Sequence, residues 1–237
     1  TGLYEIAEGK LEKAWANNNV YGIYSPKAYP ATLLVALSNG LYELKYLKGA
    51  FREVGRIKAV RHNVRSMAED GQGNVWLGTF RNGVYKLSWA RKGDTTRPVR
   101  LYGTEAGFPS LRNINVYQYQ GRVLFATEGG IYQYDPGNDV FQKDSLFMEG
   151  LTQSQRGVFA LDYNREGQVW MSCLNNRRAS IVHGRPVGEG LMDWDSTPYQ
   201  RIPEMMVLEV YADTGHVVWF GGSEGLFRYQ PNPLFED

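Results

Sequence analysis

Asn74-Val75-Trp76-Leu77-Gly78-Thr79 runs through Phe80-Arg81-Asn82 into Gly83-Val84-Tyr85-Lys86-Leu87. A short apolar strand thus turns tightly into a second strand that opens Gly-apolar-aromatic. The unit recurs along the chain. Val217-Val218-Trp219-Phe220-Gly221 leads to Gly225-Leu226-Phe227-Arg228-Tyr229, and Arg122-Val123-Leu124-Phe125-Ala126 leads to Gly130-Ile131-Tyr132-Gln133-Tyr134. Thr32-Leu33-Leu34-Val35-Ala36 leads to Gly40-Leu41-Tyr42-Glu43-Leu44. A fifth copy, Gln168-Val169-Trp170-Met171-Ser172, precedes Ala179-Ser180-Ile181-Val182, which lacks the glycine and aromatic, so an irregular third strand is expected there. Successive copies lie roughly 40 to 50 residues apart, the period of a propeller blade. A sandwich or barrel has no reason to repeat one motif. The fold class read from this period is all-β, a β-propeller of four-stranded antiparallel blades.

Each repeat reads as a four-stranded meander. The first strands fall at residues 20–24, 64–68, 114–119, 158–163 and 206–211. Turns such as Asp70-Gly71-Gln72-Gly73, Gln120-Gly121, Arg165-Glu166-Gly167 and Asp213-Thr214-Gly215 supply residues that tolerate positive φ. Fourth strands are expected at residues 51–57, 99–102, 140–147 and 199–202. The blades then span 1–16 (partial), 17–60, 61–110, 111–155, 156–204 and 205–237 (partial): about five plus a remnant, part of a seven-bladed ring. No stretch sustains a 3.6-residue apolar period, so little helix is expected. A blade cannot bury both faces alone, so Trp76, Trp170 and Trp219 are expected where neighbouring blades stack.

The 237 residues are 43% hydrophobic and 14% aromatic, with 27 Gly, which suits strands and tight turns. A net charge of +1 gives no footprint for nucleic acid or an anionic membrane surface. The single cysteine, Cys173, sits in an apolar strand and reads as a small buried hydrophobe. No run approaches the ~18 apolar residues of a membrane span, and no signal peptide opens the chain. Residues 1–6 already read as a strand of a repeat, and 226–229 read as another, so the chain is expected to be a piece of a longer polypeptide.

Ser66-Met67-Ala68-Glu69-Asp70-Gly71-Gln72-Gly73-Asn74-Val75-Trp76-Leu77-Gly78-Thr79 closely resembles the two-component regulator propeller repeat. Leu101-Tyr102-Gly103-Thr104-Glu105-Ala106-Gly107-Phe108-Pro109-Ser110 is similar to that family's inter-blade segment, and residues 125–135 and 218–229 resemble its last blades. The resemblance implies a periplasmic sensor region of a membrane-spanning bacterial regulator, often a hybrid histidine kinase acting in transcription regulation. It implies oligosaccharide or other small-molecule ligands. It also implies as partners a neighbouring propeller and a C-terminal immunoglobulin-like domain. A ring missing a sector exposes blade faces, so a second copy in a homodimer is expected as well, without nucleic acid, direct membrane contact or cofactor.

Motifs that suggest chemistry have structural explanations. Gly221-Gly222-Ser223-Glu224-Gly225 matches a nucleophile elbow, but that elbow requires a following helix and here a strand follows. His62, His183 and His216 lack metal-site spacing. Asp70-Gly71-Gln72-Gly73-Asn74 lacks the alternating ligands and distal glutamate of a calcium loop. Trp194-Asp195 stands outside the repeat register. No catalytic or metal-binding residue is therefore assigned.

In a propeller, the loops joining strand four to the next strand one, and strand two to strand three, open on one face. That face is expected to carry His62, Asn63, Phe80, Arg81, Asn82, Arg112, Asn113, Glu128, Gln155, Arg156, Asn175, Asn176, Arg177, Ser223 and Glu224. Their amides, guanidiniums and carboxylates can hydrogen-bond hydroxyls, and an aromatic can stack on a sugar. The first reading is a non-catalytic, ligand-sensing segment. The alternatives are a structural or dimerisation module, and a glycosidase or lyase in which carboxylates such as Asp162, Glu209 and Glu69 converge.

Overall fold

The computed structural model describes residues 2–7, 9–16, 19–88, 97–151, 157–175, 178–188, 190–202, 205–214 and 217–230. They form two compact units, Thr1–Val123 and Leu124–Asp237. The first contains the hairpin β1 (Gly2–Ala7) and β2 (Lys10–Ala16), then β3 (Val20–Tyr24), β4 (Thr32–Leu37), β5 (Gly40–Leu47) and β6 (Ala50–Arg56). It continues with β7 (Val64–Glu69), β8 (Val75–Thr79), β9 (Val84–Leu87), β10 (Val99–Tyr102) and β11 (Asn115–Tyr119). The division falls within β12 (Arg122–Thr127); β13 (Gly130–Asp135), β14 (Val140–Lys143) and the short α1 (Ser145–Met148) follow. The second unit ends with β15 (Val158–Tyr163), β16 (Val169–Asn175), β17 (Arg178–Pro186), β18 (Met192–Asp195), β19 (Val207–Ala212), β20 (Val218–Gly222) and β21 (Gly225–Tyr229).

The sheets follow sequence order: β3 to β6, β7 to β10, β11 to β14 and β15 to β18 have four strands each, β19 to β21 three, and β1–β2 two. The fold is a β-propeller of four-stranded antiparallel blades. Among the described residues, helix is confined to α1 and 3₁₀ turns at Thr104–Ala106 and Thr197–Tyr199.

Pleat alternation explains how a blade is buried on both sides. On β4, Leu34 and Ala36 enter a core with Val64, Val75, Leu77, Tyr85 and Leu87 of the next blade. Val35 and Leu37 point the other way, into a cluster with Leu44, Leu3 and Trp15. In the second unit Trp170 packs with Tyr199 against Val207, Val210 and Phe220, a contact between blades. Trp76 is also buried, tilted over Tyr102 of its own blade. Trp219 is half-buried, with Arg228 over its ring.

The repeated residues have local reasons. Gly40, Gly130 and Gly225, which open third strands, and Gly83, just before β9, all have positive φ (136°, 126°, 131° and 78°), a region that side chains with a Cβ avoid. The buried Thr79 closes its turn by donating to Gly83 O at 2.7 Å and accepting from Asn82 N–H at 2.8 Å. Thr127 does the same with Gly130 O and Gly129 N–H. Asp70 accepts from Gln72 N, Asn74 N and Asn74 Nδ2, and its Oδ2 takes the Trp76 indole N–H at 2.8 Å. The stretch that resembles a calcium loop is a turn locked by one carboxylate.

Three sequence readings need correcting. The third strand of the Trp170 blade is not irregular: β17 pairs with β16 without interruption from Val169–Gly184 to Asn175–Arg178. The fourth strand of that blade is β18 and not residues 199–202, where Tyr199 closes a 3₁₀ turn and buries its ring. Trp194-Asp195 therefore belongs to the blade, its indole lying over Gly184 and donating to Glu149 O. The strand expected over 140–147 ends at Lys143, because Asp144 accepts from Phe147 N–H and caps α1.

Candidate functional site

The first strands carry a recurring irregularity. Their pairing with strand two slips between Val20 and Gly22, between Val64 and Ser66, between Val158 and Ala160, and between Val207 and Glu209. Each slip leaves one residue out of the pairing register: Tyr21, Arg65, Phe159 and Leu208. A bulge re-aims the side chain it carries. Its effect shows in β7, where Val64 and Met67, three residues apart, reach the same core. Strict alternation would have put them on opposite faces.

In the first unit the bulged side chains meet the loops. Phe80 N–H donates to Asn63 O at 3.1 Å, and Phe80 O accepts from Asn113 N–H at 2.9 Å. The turn between β8 and β9 therefore lies between its own blade's entry loop and the segment leading to β11. Arg65 stands over this junction. Its guanidinium carbon is 4.1 Å from the ring centre of Tyr21 and 4.9 Å from that of Phe80, and its Nε donates to Asn63 Oδ1 at 3.0 Å. Arg81 lies over the same Phe80 ring, also at 4.9 Å. Tyr21, Asn63, Arg65 and Phe80 are half-buried and Arg81 is exposed, so the cluster is ordered yet open to solvent.

The structure places the other sequence-derived candidates as follows. His62 is engaged elsewhere: its Nδ1 is 2.6 Å from the Tyr85 hydroxyl, which accepts from Arg61 N–H, so it anchors the loop to β9. Asn82 completes the Thr79 turn. Arg112 is exposed, one residue before Asn113, which adopts φ 50°. In the second unit Glu128 is exposed in the β12–β13 turn, and Ser223 and Glu224 form the β20–β21 turn, where Ser223 N–H donates to Met206 O. The strand on either side of Ser223 makes it a hairpin residue. Asn175 ends β16; Gln155, Arg156, Asn176 and Arg177 lie outside the described residues, as does His216. Asn63, Phe80, Arg81 and Asn113 are thus brought together.

Tyr21 and Arg65 were missed from sequence. Arg65 lies one residue into a first strand, and regular alternation would send it toward the face of Met67. Only the mismatch between alternation and the apolar pattern of β7 hinted at a bulge.

Two of the three carboxylates considered for catalysis serve the frame. The buried Glu69 accepts from the Tyr24 hydroxyl at 2.9 Å and from Lys27 N–H at 2.9 Å, both from the neighbouring blade. Asp162 accepts from Ala212 N–H on the next blade at 2.8 Å. Burial pushes the Asp162 carboxyl above its ordinary range, and burial with the nearby Asp162 charge does the same to Glu209. Among the described residues no group of three or more His, Cys, Asp or Glu side chains is placed to hold a metal ion.

Residues 61–81, which include Arg65, Phe80 and Arg81, match the family model of the two component regulator propeller. Among solved structures, the extracellular domain of the hybrid two component system BT4673 from B. thetaiotaomicron has a TM-score of 0.73 at 17% identity. The alignment covers 98% of this chain and 29% of that one. PorZ, a bacterial surface component of the type-IX secretion system of Porphyromonas gingivalis, has a TM-score of 0.61 at 14% identity, covering 89% of this chain and 32% of that one. Virginiamycin B lyase from Staphylococcus aureus, in a catalytically inactive form with quinupristin, has a TM-score of 0.58 at 13% identity over 94% and 74% of the two chains. At these identities the likeness is one of fold. The chain spans about a third of the length of the first two. No curated protein matches it in sequence.

Proposed function

We propose that this chain, whose residues 61–81 carry a two component regulator propeller repeat, is an extracytoplasmic, periplasmic sensing segment of a bacterial two-component-type receptor. It binds a saccharide at the loop face of its first unit and has no catalytic role of its own. In the whole receptor its partners are a neighbouring propeller, a C-terminal immunoglobulin-like domain and a second copy of the chain. The repeat and the likeness to an extracellular two-component domain support the setting.

The observation that carries the binding site is the convergence of Asn63, Arg65 and Arg81 on Phe80, with Tyr21 on the Arg65 guanidinium. Three bulge- and turn-borne polar groups are fixed there by rings and backbone bonds while remaining open to solvent. Preorganised amides and guanidiniums suit hydroxyl-rich ligands. The non-catalytic role is supported by Glu69 and Asp162, whose oxygens receive bonds from the neighbouring blade.

Thermal unfolding of the intact chain against a panel of oligosaccharides tests the reading. A ligand at 100 times its Kd stabilises the fold by about 2.7 kcal/mol. The melting temperature is expected to rise with at least one sugar and to rise less in Phe80→Ala, with folding checked by circular dichroism. A panel that raises nothing favours a spacing or dimerisation module. Cleavage of a panel member would establish an enzyme.

A further inference from the structure

We infer that this loop face reads negative charge: its ligand is an acidic saccharide carrying a carboxylate or sulfate on its ring. The inference rests on the saccharide-binding reading above and narrows it. Arg65 and Arg81 lie over one ring, Arg112 sits one residue from Asn113, whose N–H bonds Phe80 O, and among the described residues none of the three has a carboxylate partner. Two other arginines of the described residues are neutralised. Arg97 makes a two-pronged pair with the buried Glu43, and Arg185 pairs with Asp193 at 3.0 Å.

The geometry selects for an anion in a second way. Phe80 already lies beneath two guanidiniums, so its ring serves to hold cations. Both lie 4.9 Å from that ring centre and so within about 10 Å of each other, one Debye length at moderate salt. Two like charges at that spacing repel, and an anion bound beside them relieves the repulsion. Arg65 spends its Nε on Asn63 and keeps its Nη donors, the fork that engages carboxylate or sulfate in two parallel hydrogen bonds. Tyr21 and Phe80 fix the plane of that fork, which lowers the ordering cost of binding. Asn63, whose Oδ1 meets the Arg65 Nε, stands beside it for a hydroxyl of the same ring.

Calorimetric titration of the intact chain with two matched pairs of sugars tests this. The pairs are trigalacturonate with its neutral methyl ester, and sulfated with desulfated neocarratetraose. They separate carboxylate from sulfate as the source of charge. Expected is at least tenfold tighter binding of the acidic member of one pair, weakening as sodium chloride rises from 50 to 300 mM. Arg65→Gln should abolish the preference and Arg65→Lys should restore only part of it. Arg81→Gln, at an exposed position, should reduce the preference and serves if Arg65→Gln fails to fold.

A neutral member that binds as tightly as its acidic partner overturns the inference while the saccharide reading stands. So does an acidic preference that survives both glutamine variants. Sodium sulfate competing as well as the sulfated sugar overturns it too, marking a simple ion site. Binding by none of the four sugars overturns the inference, and the saccharide reading then stands or falls on the thermal panel.

Discussion

The imidazole of His183 lies flat on the indole of Trp170, ring centroids 4.5 Å apart and planes 8° from parallel. The pair faces across β16 and β17, and His183 Nε2 is buried without a hydrogen-bond partner among the described residues. Trp76 has Lys86 over its ring and Trp219 has Arg228 in the same cross-strand arrangement. In the Trp170 blade the cation is replaced by an imidazole held neutral.

Burial, with a smaller contribution from Arg185, pulls the His183 pKa down from 6.5 to about 4, against the opposing pull of Asp195 and Asp193. A folded pKa below the unfolded value means the unfolded chain takes up the proton first. Stability from this group is therefore full above pH 6.5 and drains as pH falls toward 4. The loss should be about 1–2 kcal/mol after allowance for solvent screening at its partly open edge. As pH falls from 7.5 to 4, the difference in unfolding free energy between wild type and His183→Phe should move by that amount in favour of the variant. A constant difference between them would show that His183 does not titrate in this range.

Removing the Asp70 carboxylate opens its turn and leaves the Trp76 indole N–H buried without its acceptor on that residue. Asp70→Ala is expected to cost about 2–3 kcal/mol in urea-induced unfolding, since bonds to a charged group are worth more than neutral ones. Asp70→Asn retains one acceptor oxygen and should cost less.

Trp170 fills a core shared by two blades and donates to the Tyr199 hydroxyl at 2.7 Å. Trp170→Ala is expected to cost about 3–5 kcal/mol. Trp219→Ala, at a half-buried ring, should cost clearly less by the same denaturation measurement.

Tyr24 and Glu69 clasp two neighbouring blades of the first unit. A double-mutant cycle of Tyr24→Phe and Glu69→Gln should give a coupling energy of about 1–2 kcal/mol. A coupling near zero would mean that the Lys27 amide alone satisfies the carboxylate.

Cys173 is fully buried in β16, and desolvation pushes its thiol up to about 12. In the folded protein at pH 8 it should react with a thiol-specific disulfide reagent only at the rate of unfolding, and promptly in denaturant. Rapid labelling of the native chain would contradict that burial.

The blade fold was legible because its signals are local. Gly83 and Gly130 advertise positive φ, Thr79 and Thr127 close two-strand turns, and Asp70, Asn74 and Trp76 bond one another within seven positions. The loop face was legible in outline, since Asn63, Phe80, Arg81 and Asn113 lie in turns whose place in a blade follows from strand order. The misplaced fourth strand near 199–202 shows the limit: the aromatic of a buried 3₁₀ turn has the same apolar signature as a strand residue.

By itself the sequence determined the meander, because turn chemistry and pleat alternation act between residues a few positions apart. Tertiary structure alone decided that Tyr21, Arg65 and Phe80 stack, and that His183 stays neutral against Trp170. Both outcomes depend on a bulge or on desolvation, and each of these is set by neighbours on other strands and blades that no local pattern encodes.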